Sequence, residues 1–352
     1  MTQLQDILIE ALETKVSDIH IMCGSQPLMR RNTVLNEANY PVVTPEIAEA
    51  MLKEIISPER FAEFEMKRDL DFSTQIAGKG RFRVNAHYQR ESIAIAFRSI
   101  SDKIPPLETL NLPEAVEKLV DLPRGLVLVT GDTGSGKSTT MAAIVDAMNK
   151  KYRKHIITLE DPIEYMMVSD QCAIEQREVG SDCPNFASGL RHALRQDPDV
   201  ILVGEMRDLE TTSSAITAAE TGHLVFSTLH TMSASQTIER IIDIYPSGQQ
   251  NQIRSMLANT LQAVVSQVLF RRVDKPGMMP GVEVLLCTAA VRNCIRENRI
   301  FEIPNIIETS RTIGMQTRDF CIAQLCINGN IDRAEGLSHA AHPEKIRQML
   351  GK

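Results

Sequence analysis

Polar and apolar residues alternate strictly along Arg81-Phe-Arg-Val-Asn-Ala-His-Tyr88. Phe82, Val84, Ala86 and Tyr88 fall on one side, and Arg81, Arg83, Asn85 and His87 on the other. Successive strand side chains point to opposite faces, so this period predicts a half-buried strand. Ser92–Ile100 follows closely enough to be its partner. Upstream the period lengthens. Leu4–Leu12 and Pro45–Phe64 read as helices, the second through Ile47, Met51, Leu52, Ile55 and Ile56 at helical spacing. Residues 1–101 therefore predict a smaller α+β domain.

Ser101-Asp-Lys-Ile-Pro-Pro106 interrupts both patterns. Consecutive prolines favour extended backbone, so residues 102–112 predict a linker and 113–352 a second domain. There the texture becomes strand, helix, strand. Leu126–Thr130, His155–Leu159, Val200–Val203 and Leu224–Ser227 are short apolar runs, as parallel strands buried on both faces require. Met141, Ile144, Val145 and Met148 share one face of a helix over Ser138–Asn149. An α/β fold with a parallel sheet and right-handed crossovers is the economical solution. From about Gln249 onward the pattern reads as helical.

Length and charge narrow the picture. At 352 residues the chain exceeds one comfortable core, which agrees with two domains. No apolar run approaches the ~20 residues of a membrane span. The opening MTQLQDILIE lacks the basic flank and apolar block of an export signal, so the expected compartment is the cytoplasm. A net charge of -7, no Trp and only 5 Tyr argue against a nucleic-acid partner, which needs clustered cations and stacking surfaces. The 7 cysteines form no C-x-x-C pair; this argues against zinc and predicts reduced thiols serving mostly as small apolar side chains.

The strongest chemical signal is Gly131-Asp132-Thr133-Gly134-Ser135-Gly136-Lys137-Ser138, followed by Thr139. It fits G-x-x-x-x-G-K-[ST] and lies between an apolar strand and an amphipathic helix, the context the motif needs. Its glycines let backbone N–H groups curl toward an anion at a helix N-terminus. Lys137 is expected on the β- and γ-phosphates of ATP, and Ser138 on Mg²⁺.

Acids at strand ends turn nucleotide binding into hydrolysis. Val200–Val203 runs into Gly204-Glu205, where the metal-binding Asp usual at this place is missing, so Glu205 is expected to orient or deprotonate the attacking water. Glu160, Asp161 and Glu164 follow a second strand, and carboxyl ends of parallel strands converge on the ligand crevice. Glu160 and Glu164 therefore have an expected route to the same water, and Glu160 with Ser138 to Mg²⁺, through water in the case of Glu160. His230, at the carboxyl end of another strand, is the candidate sensor of the γ-phosphate; His223, at the opposite end, suits a structural role.

The ordered motifs G-D-T-G-S-G-K-S-T-T, I-T-L-E-D-P-I-E, I-L-V-G-E-M-R-D-L-E-T and T-A-A-E-T-G-H-L-V-F-S-T-L-H-T resemble the Walker A, Asp box, Walker B and His box of type II/IV secretion ATPases. V-S-D-I-H near the start and G-R-F-R-V-N before the linker extend the likeness over nearly the whole chain. Within the superfamily the chain is most similar to PilT-type retraction ATPases of type IV pili. It lacks the paired C-x-x-C insert of extension relatives, and Ala289-Ala-Val-Arg-Asn-Cys-Ile-Arg-Glu297 is similar to the retraction family's A-I-R-N-L-I-R-E, with Val291 and Cys294 as departures.

The resemblance implies a PAS-like amino-terminal domain, a RecA-like ATPase domain and a homohexamer. It also implies a platform protein in the inner membrane as partner, with room for a PilU-like paralogue, and a place at the cytoplasmic face of that membrane. It assigns Glu205 as the catalytic glutamate and makes arginine fingers of Arg81, Arg83 and Arg98, of which the first two share a strand face. The segment around Arg292 is then expected to couple to the pilus machinery rather than to touch ATP. The same motifs would serve a PilU-like accessory ATPase or a conjugation or type IV secretion ATPase. A nucleic-acid translocase shares the core, but the acidic balance and scarce aromatics count against it.

Overall fold

The computed structural model describes residues 3–31, 34–100 and 103–351. The chain divides into two compact units: Met1–Lys103 with Pro162–Met166, and Ile104–Asp161 with Met167–Lys352. Ser101 and Asp102 of the proline-containing segment lie outside the described residues.

The first unit is built on strands β1 (Asp18–Ile21), β2 (Leu28–Arg31), β3 (Val34–Glu37), β4 (Asp69–Ile76), β5 (Gly80–Gln89) and β6 (Ser92–Ile100). They form an antiparallel sheet in the order β3-β2-β1-β6-β5-β4. The alternation along β5 is observed: Phe82, Val84 and Ala86 are buried while Arg83 is exposed. Phe82 meets Phe97 of β6 edge to face at 6.1 Å, and Phe64 stacks on Tyr88 at 5.0 Å. Helix Gln3–Glu13 seals this core with Leu4, Ile7, Leu8 and Ala11.

The helix expected over Pro45–Phe64 is two helices, Pro45–Ile55 and Pro58–Lys67. Pro58 has no N–H to continue the first, and Ser57 caps the second by accepting the N–H of Arg60.

The second unit holds β7 (Gly125–Thr130), β8 (His155–Glu160), β9 (Ala173–Glu178), β10 (Val200–Val203), β11 (Leu224–Leu229), β12 (Leu261–Arg271) and β13 (Met278–Leu286). Their order is β13-β12-β7-β11-β10-β8-β9, parallel except for the edge strand β13. Both faces are covered, which explains the unbroken apolar runs. Leu126 and Leu128 of β7 enter one core with Ile216 and Ile238, while Val127 and Val129 enter another with Ile144 and Met148. The helix after β7, Lys137–Lys151, thus lies on one face, and those after β10 and β11, Leu209–Glu220 and Ala234–Asp243, on the other. Chain direction diverges at that point, and ligands of open α/β sheets bind in the crevice it leaves.

The expectation of an all-helical region beyond Gln249 is corrected. Leu261–Arg271 and Met278–Leu286 form a long antiparallel pair, and β12 also runs parallel beside β7. Pro280 is tolerated because β13 is an edge strand. Helix Gln250–Thr260 precedes this pair as expected, and from Ala289 onward the regular elements are again helical.

Candidate functional site

Register brings four strand ends into one row. Thr130 of β7 lies beside Leu229 of β11, while Val203 of β10 lies beside both Ser227 of β11 and Leu159 of β8. The loops leaving these ends carry Gly131–Gly136, Glu160, Glu205 and His230 within the second unit.

The phosphate loop has the backbone its sequence demands. Gly131, Gly134 and Gly136 adopt φ of 137°, 81° and 90°, a region that side chains disfavour. A Cβ on Gly131 would lie 2.2 Å from the Gln267 carbonyl oxygen and 2.6 Å from Ser135 Oγ, so only glycine fits against β12. Lys137 opens the following helix, is 8% exposed, and donates from Nζ to the carbonyls of Gly131 at 2.7 Å and Asp132 at 2.8 Å. Its ammonium therefore spans the mouth of the loop. Asp132, Thr133 and Gly134 are exposed at the rim, and Ser138 and Thr139 are half-buried in the first helical turn.

Beside the loop is a cleft of about 270 Å³, lined by Ser135, Gly136, Thr139, Gln267, Leu269 and Met278 among others. Ser135 Oγ and Gln267 Oε1 are buried there without hydrogen-bond partners. An apolar-walled cleft opening at a phosphate cradle suits a nucleoside.

Glu205 is the acid on which the geometry converges. Its Oε1 lies 2.6 Å from Arg207 Nε and 3.1 Å from His230 Nε2, with the side chain 17% exposed. The hydrogen bond and charge of Glu205 push the Arg207 guanidinium above its ordinary range. The backbone around Glu205 is held from both sides. Gly204 N–H donates to Leu159 O at 2.8 Å, Thr228 Oγ1 donates to Gly204 O at 2.6 Å, and Met206 N–H donates to Thr228 O at 3.1 Å. A Cβ on Gly204 would come within 3.2 Å of Leu159 O and 3.3 Å of the Phe186 ring, so the strand end has little room for the usual aspartate.

Glu160 is positioned by its own sheet, since Oε1 accepts from Thr158 Oγ1 at 2.7 Å and from Gln176 Nε2 at 3.0 Å. Asp161 lies within electrostatic reach of Arg207. Glu164 belongs to Pro162–Met166, which packs with the first unit. His223 turns its ring to Ala218 O at 3.0 Å, closing the end of the preceding helix.

The three arginines occupy the first unit. Arg83 and Arg98 are direct cross-strand neighbours. Arg98 Nε donates to Asp18 Oδ1 at 2.9 Å, and Arg81 reaches Ser73 Oγ and, at 3.0 Å, Met166 Sδ. Burial acts to raise the Asp18 carboxyl, but Arg98, Ser17 and Arg30 together hold it below the ordinary carboxylate range.

Sequence reasoning missed Arg207, Thr158, Gln176 and Gln267. A cation two residues beyond the candidate acid Glu205 was a visible signal for the first; nothing along the chain marked the others. Arg292, expected to serve coupling, is turned inward. It donates to the carbonyls of Ala258, Asn259 and Cys287 and so caps helix Gln250–Thr260, while Ile295 is fully buried. All seven cysteines are free thiols. Among the described residues no helix is long and apolar enough to cross a membrane.

A family model described as type II/IV secretion system protein matches residues 1–302. The chain is 42% identical to the type IV pilus retraction ATPase PilT of Pseudomonas aeruginosa, over 97% of this chain and 99% of that one. It is 37% identical to the type IV pilus ATPase PilU of the same organism, over 99% of this chain and 91% of that one. The crystal structure of the pilus retraction motor PilT with bound ADP superposes with a TM-score of 0.92 at 41% identity, covering 99% of each chain.

Proposed function

Because the chain belongs to the type II/IV secretion system protein family, we propose that it is an ATP-hydrolysing motor that retracts type IV pili. The observation that carries this reading is the meeting of Glu205, His230 and the Lys137 loop at neighbouring ends of one parallel sheet. The PilT relative and its ADP-bound structure support the nucleotide and the work done with it.

The chemistry follows from the side chains. The Lys137 ammonium, now satisfied by two carbonyls of its own loop, exchanges them for β- and γ-phosphate oxygens. Backbone N–H groups at the start of the helix take the remaining charge. Glu205 orients a water toward the γ-phosphorus and accepts its proton, and His230 fixes which carboxylate oxygen does so. The Ser138 hydroxyl and the Glu160 carboxylate are hard oxygen donors that fit Mg²⁺ carried in on phosphate, Glu160 through a water. When bound, Mg²⁺ neutralises phosphate charge as it builds. ADP and phosphate are the products.

Gly131, Asp132, Thr133, Gly134, Ser135, Gly136, Ser138 and Thr139 form the rest of the nucleotide site in this reading. Glu164, Arg81, Arg83 and Arg98 are its candidate contributors from the first unit, Arg83 foremost because Arg98 is engaged with Asp18. The assembly is a homohexamer working on a platform protein at the cytoplasmic face of the inner membrane. With Arg292 and Ile295 turned inward, the exposed Asn293 and Arg296 of that helix, with Glu297 just beyond it, are polar residues left to meet a partner.

Deleting the gene and scoring surface pili tests the proposal. Excess pili that no longer retract support it. Bald cells would assign the motor to extension, and unchanged pili would remove it from the machine.

A further inference from the structure

Glu283 of β13 stands in one cross-strand row with the base of the site. It pairs with Ser266 of β12, Ser266 with Thr130 of β7, and Thr130 with Leu229 of β11. Thr130 immediately precedes the phosphate loop and Leu229 immediately precedes His230. The Glu283 carboxylate accepts the backbone N–H of Ala234 at 2.8 Å, and the charge and backbone amide of Arg318 act on it electrostatically. Ala234 opens helix Ala234–Asp243, and Arg318 opens helix Arg318–Ile327. One half-buried carboxylate thus serves the N-terminus of helix Ala234–Asp243 and lies within electrostatic reach of the start of Arg318–Ile327, where unpaired N–H groups favour an anion.

Arg318 closes the connection from the other side by donating Nη1 to Met232 O at 2.9 Å. Each residue between His230 and the helix is tied down. Thr231 Oγ1 lies 2.7 Å from Thr237 Oγ1, Met232 N–H donates to Gln236 Oε1 at 3.3 Å, and Ser233 Oγ accepts Gln236 N–H at 3.3 Å. The start of the Arg318 helix is itself stitched to β13 on either side of Glu283. Gln316 Nε2 donates to Val282 O at 2.9 Å, and its backbone pairs with Val284.

We propose that Glu283 and Arg318 are positioning residues for His230: they fix the loop that presents its imidazole to Glu205, and so make the carboxy-terminal helices part of the hydrolytic apparatus. This rests on the reading that His230 and Glu205 act in ATP hydrolysis. Burial raises the Glu283 carboxyl, while the amides of Ala234 and Arg318 and the Arg318 charge work against that rise. A carboxylate placed there merely to cap helix Ala234–Asp243 would influence folding but not the way His230 works.

A double-mutant cycle separates the two. Steady-state ATP turnover of the full chain with Mg²⁺ is measured for Glu283→Gln and Arg318→Lys, each alone and combined with His230→Ala. Each single change is expected to lower kcat about five- to tenfold with KM for ATP nearly unchanged, as loss of orientation does. In the His230→Ala background the same changes are expected to alter kcat less than about twofold. Equal factors in both backgrounds would overturn the proposal, and so would losses confined to KM. Full turnover by His230→Ala alone would instead refute the role of His230, and the positioning role with it. Glu283→Gln keeps the side-chain volume, so it gives the answer alone should Arg318→Lys fail to fold.

Discussion

His230 Nε2 and Arg207 Nε converge on a single oxygen, Oε1 of Glu205, at 3.1 Å and 2.6 Å. The two donors differ in cost of removal. Arg207 is 74% exposed in its side chain, and exposed ion pairs contribute about 0–1 kcal/mol. Arg207→Ala is therefore expected to leave the melting temperature nearly unchanged. Turnover should still fall roughly three- to tenfold, because only His230 would then orient the carboxylate. Parallel melting and turnover measurements check this. A loss of stability without a loss of rate would reverse the assignment.

Gly131→Ala puts a methyl group where the Gln267 carbonyl oxygen lies at 2.2 Å, on backbone with φ of 137°. The loop must move to make room. Affinity for ATP is expected to drop at least tenfold, since each displaced donor of a charge-assisted bond weakens phosphate binding. Stability should fall by about 1–3 kcal/mol from strain. Nucleotide titration and thermal unfolding measure the two effects separately.

Much of this was legible along the chain, for reasons that can be named. Gly125–Thr130 is buried at every residue, so its apolar run had one reading beside a glycine-rich turn. The β5 alternation was equally direct because one sheet face is buried and the other is not. Leu261–Arg271 is buried on both faces beneath helices, which erases the period of two and leaves an apolar run that also suits a buried helix; Val264, Val265, Val268 and Phe270 were the local hints of strand. Ser57-Pro58 carried a stop and a cap together, and the apolar spacing on either side masked it. In the site, strand ends could be predicted but side-chain directions could not. Arg207 turning back onto Glu205 and Arg292 turning in to cap a helix both depend on packing that no local pattern encodes.

Arg83 and Arg98 face each other across β5 and β6, yet they are expected to behave differently. Arg98 holds Asp18 and Arg83 is exposed, so Arg83→Ala should slow ATP turnover with unchanged melting. Arg98→Ala should leave turnover nearly unchanged and cost at most about 1 kcal/mol of stability, since Arg98 is 73% exposed, and that small effect should depend on pH. The Asp18 carboxyl is lowered in the folded state from 3.8, so its contribution is present above 3.8 and lost as pH falls through the lower folded value. The difference in melting temperature between wild type and Arg98→Ala should accordingly close on acidification below that range. Thermal melts across acid pH test the sign.

Glu205→Gln keeps the shape of the side chain and removes the negative charge that readies a water. ATP turnover of the assembled protein, measured beside ATP binding, is the most direct test of the account. We expect binding to persist while turnover falls by at least about 10²-fold, the scale of a lost general base. Turnover at the wild-type rate would contradict it.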